Sequence, residues 1–396
     1  MELFVACVLT ARPWEEVSLG VMRPLRIGFI GVGNISGIYF QNLKAFPATE
    51  VVACADIDAA KTQAVADQQG VRAMTPDELI ASPDVDLVLN LTIPKAHGDV
   101  ALQAVRAGKH VYNEKPLCID LDQAKRLLIE ADANGVRVGC APDTFLGGSH
   151  QTARAAIEAG EIGTPVGAQA FMIGHGPEAW HPNPDFFYKP GGGPMLDMGP
   201  YYVTALVNML GPVRRLTGSA RASFAKRPVV ASNAGFYGSR DIELGSYNID
   251  VETPTHLTAV LDFANGAIGE LTTSFDVWHT EGLFPIAVYG SEGSMLVPDP
   301  NFFGGDVKVR RHDESEWRVL PAKHGFTEND RGLGVLDIAY AISEGRDHRA
   351  SGRLALHALD VMLGVSRASN EGKHQELTTG VQPAALPADA FADQRG

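Results

Sequence analysis

The sequence predicts an α/β domain with a doubly wound parallel sheet, joined to an α+β domain with a large, mainly antiparallel open sheet. Three observations predict it. At 396 residues the chain exceeds what one simple core accommodates. From Arg26 to about Asp143 short apolar runs alternate with amphipathic helical stretches, the rhythm of parallel strands with crossover helices. Beyond about residue 144, strand-like runs succeed one another with turn signals between them, which is the pattern of antiparallel pairing. The expected divisions are residues 1–22 outside the fold, 23–143, 144–380, and a flexible tail over 381–396.

In the first domain the strands read as 26–31, 51–56, Leu87–Leu91, His110–Asn113 and Val136–Cys140. Helical stretches such as Ala59–Gln69 and Asp99–Ala107 lie between them, the latter closed by Gly108. In the second, a helix over Gln151–Ala159 ends at Gly160. Strands follow at Val166–Ile173, Arg214–Ala222, His256–Phe263, Ala267–Phe275, Pro285–Tyr289, Ser294–Val297, Val307–Arg310 and Trp317–Leu320. Asn265-Gly266 reads as a hairpin turn. Helices over Gly334–Glu344 and Ala355–Glu371 precede a Pro/Ala/Asp-rich tail from Val381, which is expected to fray.

Composition narrows the function. Hydrophobic residues make up 45% and charged residues 20%, ordinary for a globular protein. With 33 basic against 47 acidic residues the net charge is −14, which disfavours nucleic acid and anionic membranes as partners. The short basic groups, Arg310-Arg311 and Arg346 to Arg349, stand beside acids. Four cysteines without C-x-x-C spacing (Cys7, Cys54, Cys118, Cys140) fit a reduced, cytoplasmic protein without structural disulfides. The apolar run Leu3–Leu9 has no basic residue before it and is too short to span a bilayer. Residues 1–22 therefore read as a disordered or upstream-start extension ahead of Met22.

The chemistry starts at the first turn. An apolar run (Ile27, Phe29, Ile30) feeds Gly31-x-Gly33-x-x-Ser36-Gly37, and Asp56 closes the next apolar run, 23 residues after Gly33. Strand, glycine turn, helix, strand and acid in that order place a dinucleotide pyrophosphate on a helix N-terminus and a carboxylate on the adenosine ribose. Gly31 permits the tight turn. Gly33, with Asn34 and Ile35, brings backbone to the phosphates. Asp56 would accept from the ribose 2′-hydroxyl of NAD and repel the 2′-phosphate of NADP. Ile57 stands where an arginine would serve that phosphate, so the cofactor expected is NAD, with NADP disfavoured. Thr92, Pro94, His97, Glu114 and Lys115 fall at the carboxyl ends of later strands, where such sheets bind ligands.

Lys115, between Glu114 and Pro116, is aimed at the same crevice, where its ammonium can hydrogen-bond a substrate hydroxyl and stabilise a developing alkoxide. Gly191-Gly-Gly-Pro-Met-Leu-Asp197-Met-Gly-Pro-Tyr201 is a second unusual segment. The glycines allow close backbone approach. Asp197 and Tyr201, four apart, share a face if the following helix has begun. They form either an orienting carboxylate with a proton-transfer phenol, or a helix cap with a core tyrosine. The loop from Gly174 to Tyr188 carries His175, Trp180 and His181, residues suited to a sugar-binding wall or to a packed connection. No metal-ligand spacing is present. Asp143-Thr144, Trp278-His279 and His357 are weaker candidates, His357 reading as a structural histidine.

Together, Gly31-x-Gly33, Asp56, Pro94 with His97, Gly108-Lys-His110, Glu114-Lys-Pro116, Gly-Gly-Gly-x-x-x-Asp197-x-Gly-x-Tyr201 and Val288-Tyr-Gly-Ser-Glu-Gly293 resemble the glucose–fructose oxidoreductase/inositol dehydrogenase (Gfo/Idh/MocA) family. The resemblance covers residues 24 to about 372. It implies a Rossmann domain followed by an α/β domain whose open sheet faces the cofactor and often builds an oligomer interface, here a homodimer or homotetramer. It also implies hydride transfer between nicotinamide and a sugar, polyol or cyclitol carbon. By position, Lys115 corresponds to the family's catalytic lysine and Asp197 to the aspartate of an Asp-x-x-x-His pair, with Tyr201 in the histidine's place. Members related to glucose–fructose oxidoreductase carry tyrosine there. A free tyrosine titrates near 10, so Tyr201 needs help from Lys115 and the nicotinamide ring to shed a proton near neutrality. The alternatives are a reductase of ketosugars or small carbonyls, and a non-catalytic cofactor or sugar sensor of the same fold.

Overall fold

The computed structural model describes residues 23–181, 183–229, 247–322 and 325–391. The extension 1–22, with Cys7, and the last five residues lie outside them. The first half runs β1 (Leu25–Ile30), α1 (Ser36–Ala45), β2 (Thr49–Ala55), α2 (Ala59–Gln69), β3 (Arg72–Met74), α3 (Pro76–Ala81), β4 (Leu87–Asn90), α4 (Pro94–Arg106), β5 (His110–Asn113), α5 (Leu121–Ala133) and β6 (Val138–Cys140). All pairings in this sheet are parallel, in the order β3-β2-β1-β4-β5-β6. Ile27, Phe29, Ala53, Leu87, Val88, Leu89, Val111 and Tyr112 are wholly buried, as strands covered on both faces require. The chain order reverses between β1 and β4, which opens the ligand crevice at the carboxyl ends of those strands.

The second half runs α6 (Gly148–Glu158), β7 (Pro165–Ile173), α7 (Gly193–Asp197), α8 (Gly199–Leu210), β8 (Val213–Arg221), β9 (Lys226–Val229), β10 (Tyr247–Asp250), β11 (His256–Phe263), β12 (Ile268–Ser274), β13 (Ile286–Gly290), β14 (Gly293–Val297), β15 (Lys308–Arg311), β16 (Arg318–Val319), α9 (Leu333–Glu344), α10 (Gly352–Glu371) and β17 (Gln375–Glu376). Nine strands form one sheet, β16-β15-β14-β13-β7-β12-β11-β8-β17, antiparallel throughout except where β7 meets β12. Leu257, Ala259, Leu261 and Phe263 of β11 point into the core, while Val260 between them stays exposed. Helices α6, α8 and α10 cover the inner face; α10 also reaches α5 and β6, tying the two halves together.

One expectation is corrected. The segment 381–391 does not fray: Leu386 and Phe391 are buried. Arg154 donates to the Pro383 carbonyl, Arg349 to that of Ala385, and Leu386 N–H to Gln151. Two buried apolar side chains and three hydrogen bonds, two of them buried, outweigh its loop-like composition. The helix after the glycine run is in two pieces. It opens as α7 at Gly193, breaks at Met198, and resumes as α8 with Pro200 in its first turn, where the missing N–H has no intrahelical role.

Candidate active site

At the mouth of the parallel sheet the glycine turn has the shape a dinucleotide needs. Gly31 has φ +97°, and a Cβ there would lie 2.6 Å from the Leu91 carbonyl oxygen, so this close approach of β1 to β4 tolerates no side chain. A Cβ at Gly33 would meet nothing within 4 Å; that face of the turn is open. Ile35 caps α1 without any side-chain hydrogen bond, leaving the helix's first amides for an anion. Asn34 is exposed beside them. The Asp56 carboxylate at the end of β2 accepts from Val32 N–H at 3.0 Å and from Asp58 N–H at 3.2 Å. Ile57 next to it is fully exposed. The nearest cation, Lys61 on α2, stands 3.9 Å from Asp56. An open phosphate cradle with a fixed carboxylate at the ribose distance fits a pyridine dinucleotide.

After β4, Thr92 donates its hydroxyl to Asn90 Oδ1 at 2.7 Å, and Pro94 opens α4. His97 is 1% exposed, with Nδ1 2.6 Å from the Pro116 carbonyl oxygen and Nε2 3.0 Å from that of Thr92. Each ring nitrogen faces a backbone carbonyl oxygen and a neutral ring donates to one of them, so His97 ties the loops after β4 and β5 together. Glu114 is likewise largely engaged: Tyr39 on α1 donates to Oε1 at 3.0 Å and Lys115 N–H to Oε2 at 2.8 Å.

Lys115 crosses to the second half of the chain. Its Nζ lies 2.7 Å from Asp197 Oδ1 and 2.6 Å from the Asp197 carbonyl oxygen, and sits 5.2 Å from the centre of the Tyr201 ring. Asp197 ends α7 and Tyr201 lies in the first turn of α8, so the break at Met198 sets the two side chains around the ammonium. Burial works against the Lys115 charge, but Asp197, Tyr201 and Glu114 outweigh it and hold the ammonium above its ordinary range. The Lys115 ammonium thus stands as a cation donating to Asp197. Burial raises the Tyr201 phenol above its ordinary value, while Lys115 and Arg331 pull it down. Sequence reasoning missed Arg331, a cation whose charge acts on the Tyr201 phenol in the same sense as Lys115.

The aromatic loop is held mainly by a buried ionic cluster. Arg227, 2% exposed, pairs with Glu178 at 2.5 Å and Asp276 at 3.2 Å, and the Tyr188 hydroxyl donates to Glu178. His175 accepts from Arg227 through its carbonyl and stacks its ring on Trp278. His181 packs edge-on against Phe186 and Phe187, with Trp180 edge-on to His181. Trp180 and His181 thus pack on rings of their own loop, while His175 leans on Trp278 beyond β12. The loop adjoins the glycine run, since a Cβ on Gly192 would strike the Phe186 carbonyl oxygen at 2.5 Å. Of the weaker candidates, Asp143 is buried and accepts from Gly332 and Gly334 N–H. His357 accepts from Val213 N–H at 3.0 Å and meets Thr379, a structural role.

Known proteins match this architecture along most of the chain. Residues 25–141 match the model of an oxidoreductase family with an NAD-binding Rossmann fold, and residues 150–296 that of the GFO/IDH/MocA C-terminal domain. A 1,5-anhydro-D-fructose reductase of Ensifer adhaerens is 26% identical over 367 residues, spanning 90% of this chain and 99% of the relative. A myo-inositol 2-dehydrogenase of Thermotoga maritima is 28% identical over 275 residues, 69% of this chain and 75% of the relative. Among solved structures, an NAD-binding oxidoreductase from Klebsiella pneumoniae superposes with a TM-score of 0.76 at 22% identity, covering 90% of this chain and all of that one. An aldose–aldose oxidoreductase from Caulobacter crescentus gives 0.72 at 19% identity, with 90% and 100% coverage. With both halves of the chain accounted for, the protein belongs to the GFO/IDH/MocA family of oxidoreductases, built on an NAD-binding Rossmann fold.

Proposed function

We propose that the protein is an NAD-dependent dehydrogenase of sugars, polyols or cyclitols, acting at a CH–OH carbon. The observation that carries this is the Lys115 ammonium, fixed by Asp197 over the ring of Tyr201 at the mouth of the nucleotide crevice. The nicotinamide, when bound, supplies the two-electron acceptor or donor. Lys115 donates a hydrogen bond to the substrate oxygen and stabilises negative charge developing there. Tyr201 exchanges the hydroxyl proton with that oxygen. Asp197 keeps the ammonium aimed and charged. The enzymes named for anhydrofructose and inositol among the relatives support polyhydroxylated substrates.

A second reading, reduction of a ketosugar or other small carbonyl as the working direction, is favoured by one observation. Burial holds Tyr201 protonated at neutral pH, ready to give its proton to a reduced carbonyl oxygen. The test follows NADH absorbance in both directions across aldoses, ketoses, inositols and sugar acids. Turnover is expected on at least one. With that substrate, Lys115→Ala should lower kcat about 10²- to 10³-fold, the loss typical of one oxyanion donor. Wild-type turnover by a folded Lys115→Ala protein would remove this mechanism.

A further inference from the structure

Tyr39 is the fourth residue of α1, the helix whose first amides are open to a dinucleotide pyrophosphate. Its side chain is wholly buried. The hydroxyl donates to Glu114 Oε1 at 3.0 Å, and Glu114 Oε2 accepts the Lys115 N–H at 2.8 Å. One carboxylate, 8% exposed, therefore bridges α1 to the peptide that carries Lys115. The Glu114 N–H is itself tied to the Asn90 carbonyl oxygen of β4 at 2.9 Å. The loop before α9 braces the turn that bears Tyr39. Asn42 on α1 donates to the Arg331 carbonyl oxygen at 2.7 Å, and a Cβ on Gly332 would stand 3.8 Å from the Tyr39 ring. Asp143, just past β6, accepts from Gly332 N–H, and the Arg331 guanidinium donates to Asn301 Oδ1 at 3.0 Å. Lys115 is thus held at both ends, its main chain by Tyr39 through Glu114 and its ammonium by Asp197.

We propose that Tyr39 is a positioning residue of the reaction, which acts through Glu114 to set Lys115 against the dinucleotide bound on the same helix. The inference rests on Lys115 being the donor to the substrate oxygen. Tyr39 exchanges no proton with the substrate. Among the described residues its hydroxyl is the one side-chain donor to Glu114. Removing that hydroxyl leaves a buried acceptor unmatched. The carboxylate then turns to recover a donor and draws the Lys115 peptide with it. A displacement of about 1 Å at a reacting group costs up to about a hundredfold in rate. The open amides of α1 and the Asp56 carboxylate, bonded to Val32 and Asp58, do not depend on this bridge. The bridge therefore bears on the chemical step and leaves cofactor affinity alone.

The test reads Lys115 itself, by competitive acetic anhydride labelling of the full chain without cofactor or substrate, followed by mass spectrometry. Asp197 suppresses the free-amine form of Lys115, so an ammonium drawn away from Asp197 labels faster. In Tyr39→Phe, Lys115 should label several-fold faster than in the wild type. Lys109, at the other end of β5 and held by the Ser82 and Val85 carbonyl oxygens, should label as before. With a turned-over substrate, Tyr39→Phe should lower kcat about ten- to a hundred-fold and leave KM for NAD close to wild type. Added to Lys115→Ala it should cost nothing further, because both changes act at one group. Should Tyr39→Phe fail to fold, Glu114→Gln is read in its place; its single oxygen satisfies one of the two donors, and the same pattern is expected. Unchanged Lys115 labelling, an equal rise at Lys109, or an additive loss in the double variant overturns the proposal, since a purely structural role loosens both lysines alike. Faster labelling of Lys115 alone, in a protein that converts no sugar, polyol or small carbonyl, upholds the bridge and overturns the functional reading instead.

Discussion

At the scale of single residues, the proposed preference for NAD turns on Asp56. Its carboxylate is fixed by two backbone amides, beside an exposed Ile57 and with only Lys61 at 3.9 Å to offset it. A 2′-phosphate brought there meets like charge, whereas a 2′-hydroxyl gains a charge-assisted bond. NADH should therefore bind more tightly than NADPH in calorimetric titration. Asp56→Ser should weaken NADH by about ten- to a hundred-fold, the worth of a hydrogen bond to a charged group. Tighter NADPH binding by the wild type would reverse the assignment. Asp56 was legible in the sequence from its spacing to Gly33, and Lys115, Asp197 and Tyr201 were legible as a set through the family resemblance. Arg331 was not. It lies 130 residues beyond Tyr201, on a loop with no periodicity, and only the packing of α1, β6 and the segment after β14 reveals its address. His97, grouped with the crevice through the family resemblance, is buried with its ring nitrogens against carbonyl oxygens.

At the scale of elements, the parallel sheet is held at its amino-terminal edge by a charge cluster. Arg26 on β1 makes a two-pronged contact with Asp86, through Nη2 at 2.8 Å and Nε at 3.0 Å, and its backbone N–H adds a third bond. Burial raises the Asp86 carboxyl, but these bonds, with Arg23, outweigh it and lower the value to about 2. A depressed carboxylate contributes stability that is complete above the unfolded value near 4 and is lost as pH falls toward 2. The contribution amounts to about 2 kcal/mol. Asp86→Asn should reduce the denaturation free energy at pH 7 by about that much, and flatten its decline between about pH 4 and pH 2. An unchanged acid limb in urea titrations would show that another group governs it. The central strands were legible because runs such as Leu87-Val-Leu are apolar without interruption. β3 was not, being three partly exposed residues at the sheet edge. Nor was α3, whose Thr75–Glu78 capping box marks the start of a helix only six residues long.

At the scale of the whole molecule, one face of the nine-stranded sheet carries no helix among the described residues. Val260, Ile268 and Tyr289 stand exposed there around a hydrogen-bonded trio, with Tyr289 donating to Gln169 and Gln169 to Glu270. The groove among them encloses about 450 Å³. Helices α6, α8 and α10 occupy only the opposite face, so the apolar side chains of this one are left to water. A flat, twisted sheet face pairs most simply with its own copy across a two-fold axis, each patch meeting the same patch. The wild-type protein should therefore sediment as a homodimer or a dimer of dimers. Val260→Glu combined with Ile268→Glu places four like charges across such an axis, and should yield a monomer at micromolar concentration. The fold should survive, because these side chains point away from the core that Leu257, Leu261 and Leu271 fill. A wild-type monomer in velocity sedimentation, or an unaltered oligomer in the double variant, would move the interface elsewhere. The site residues lie at the seam between the two sheets rather than on this face, so loss of the oligomer should leave NADH binding by the separated chains close to wild type.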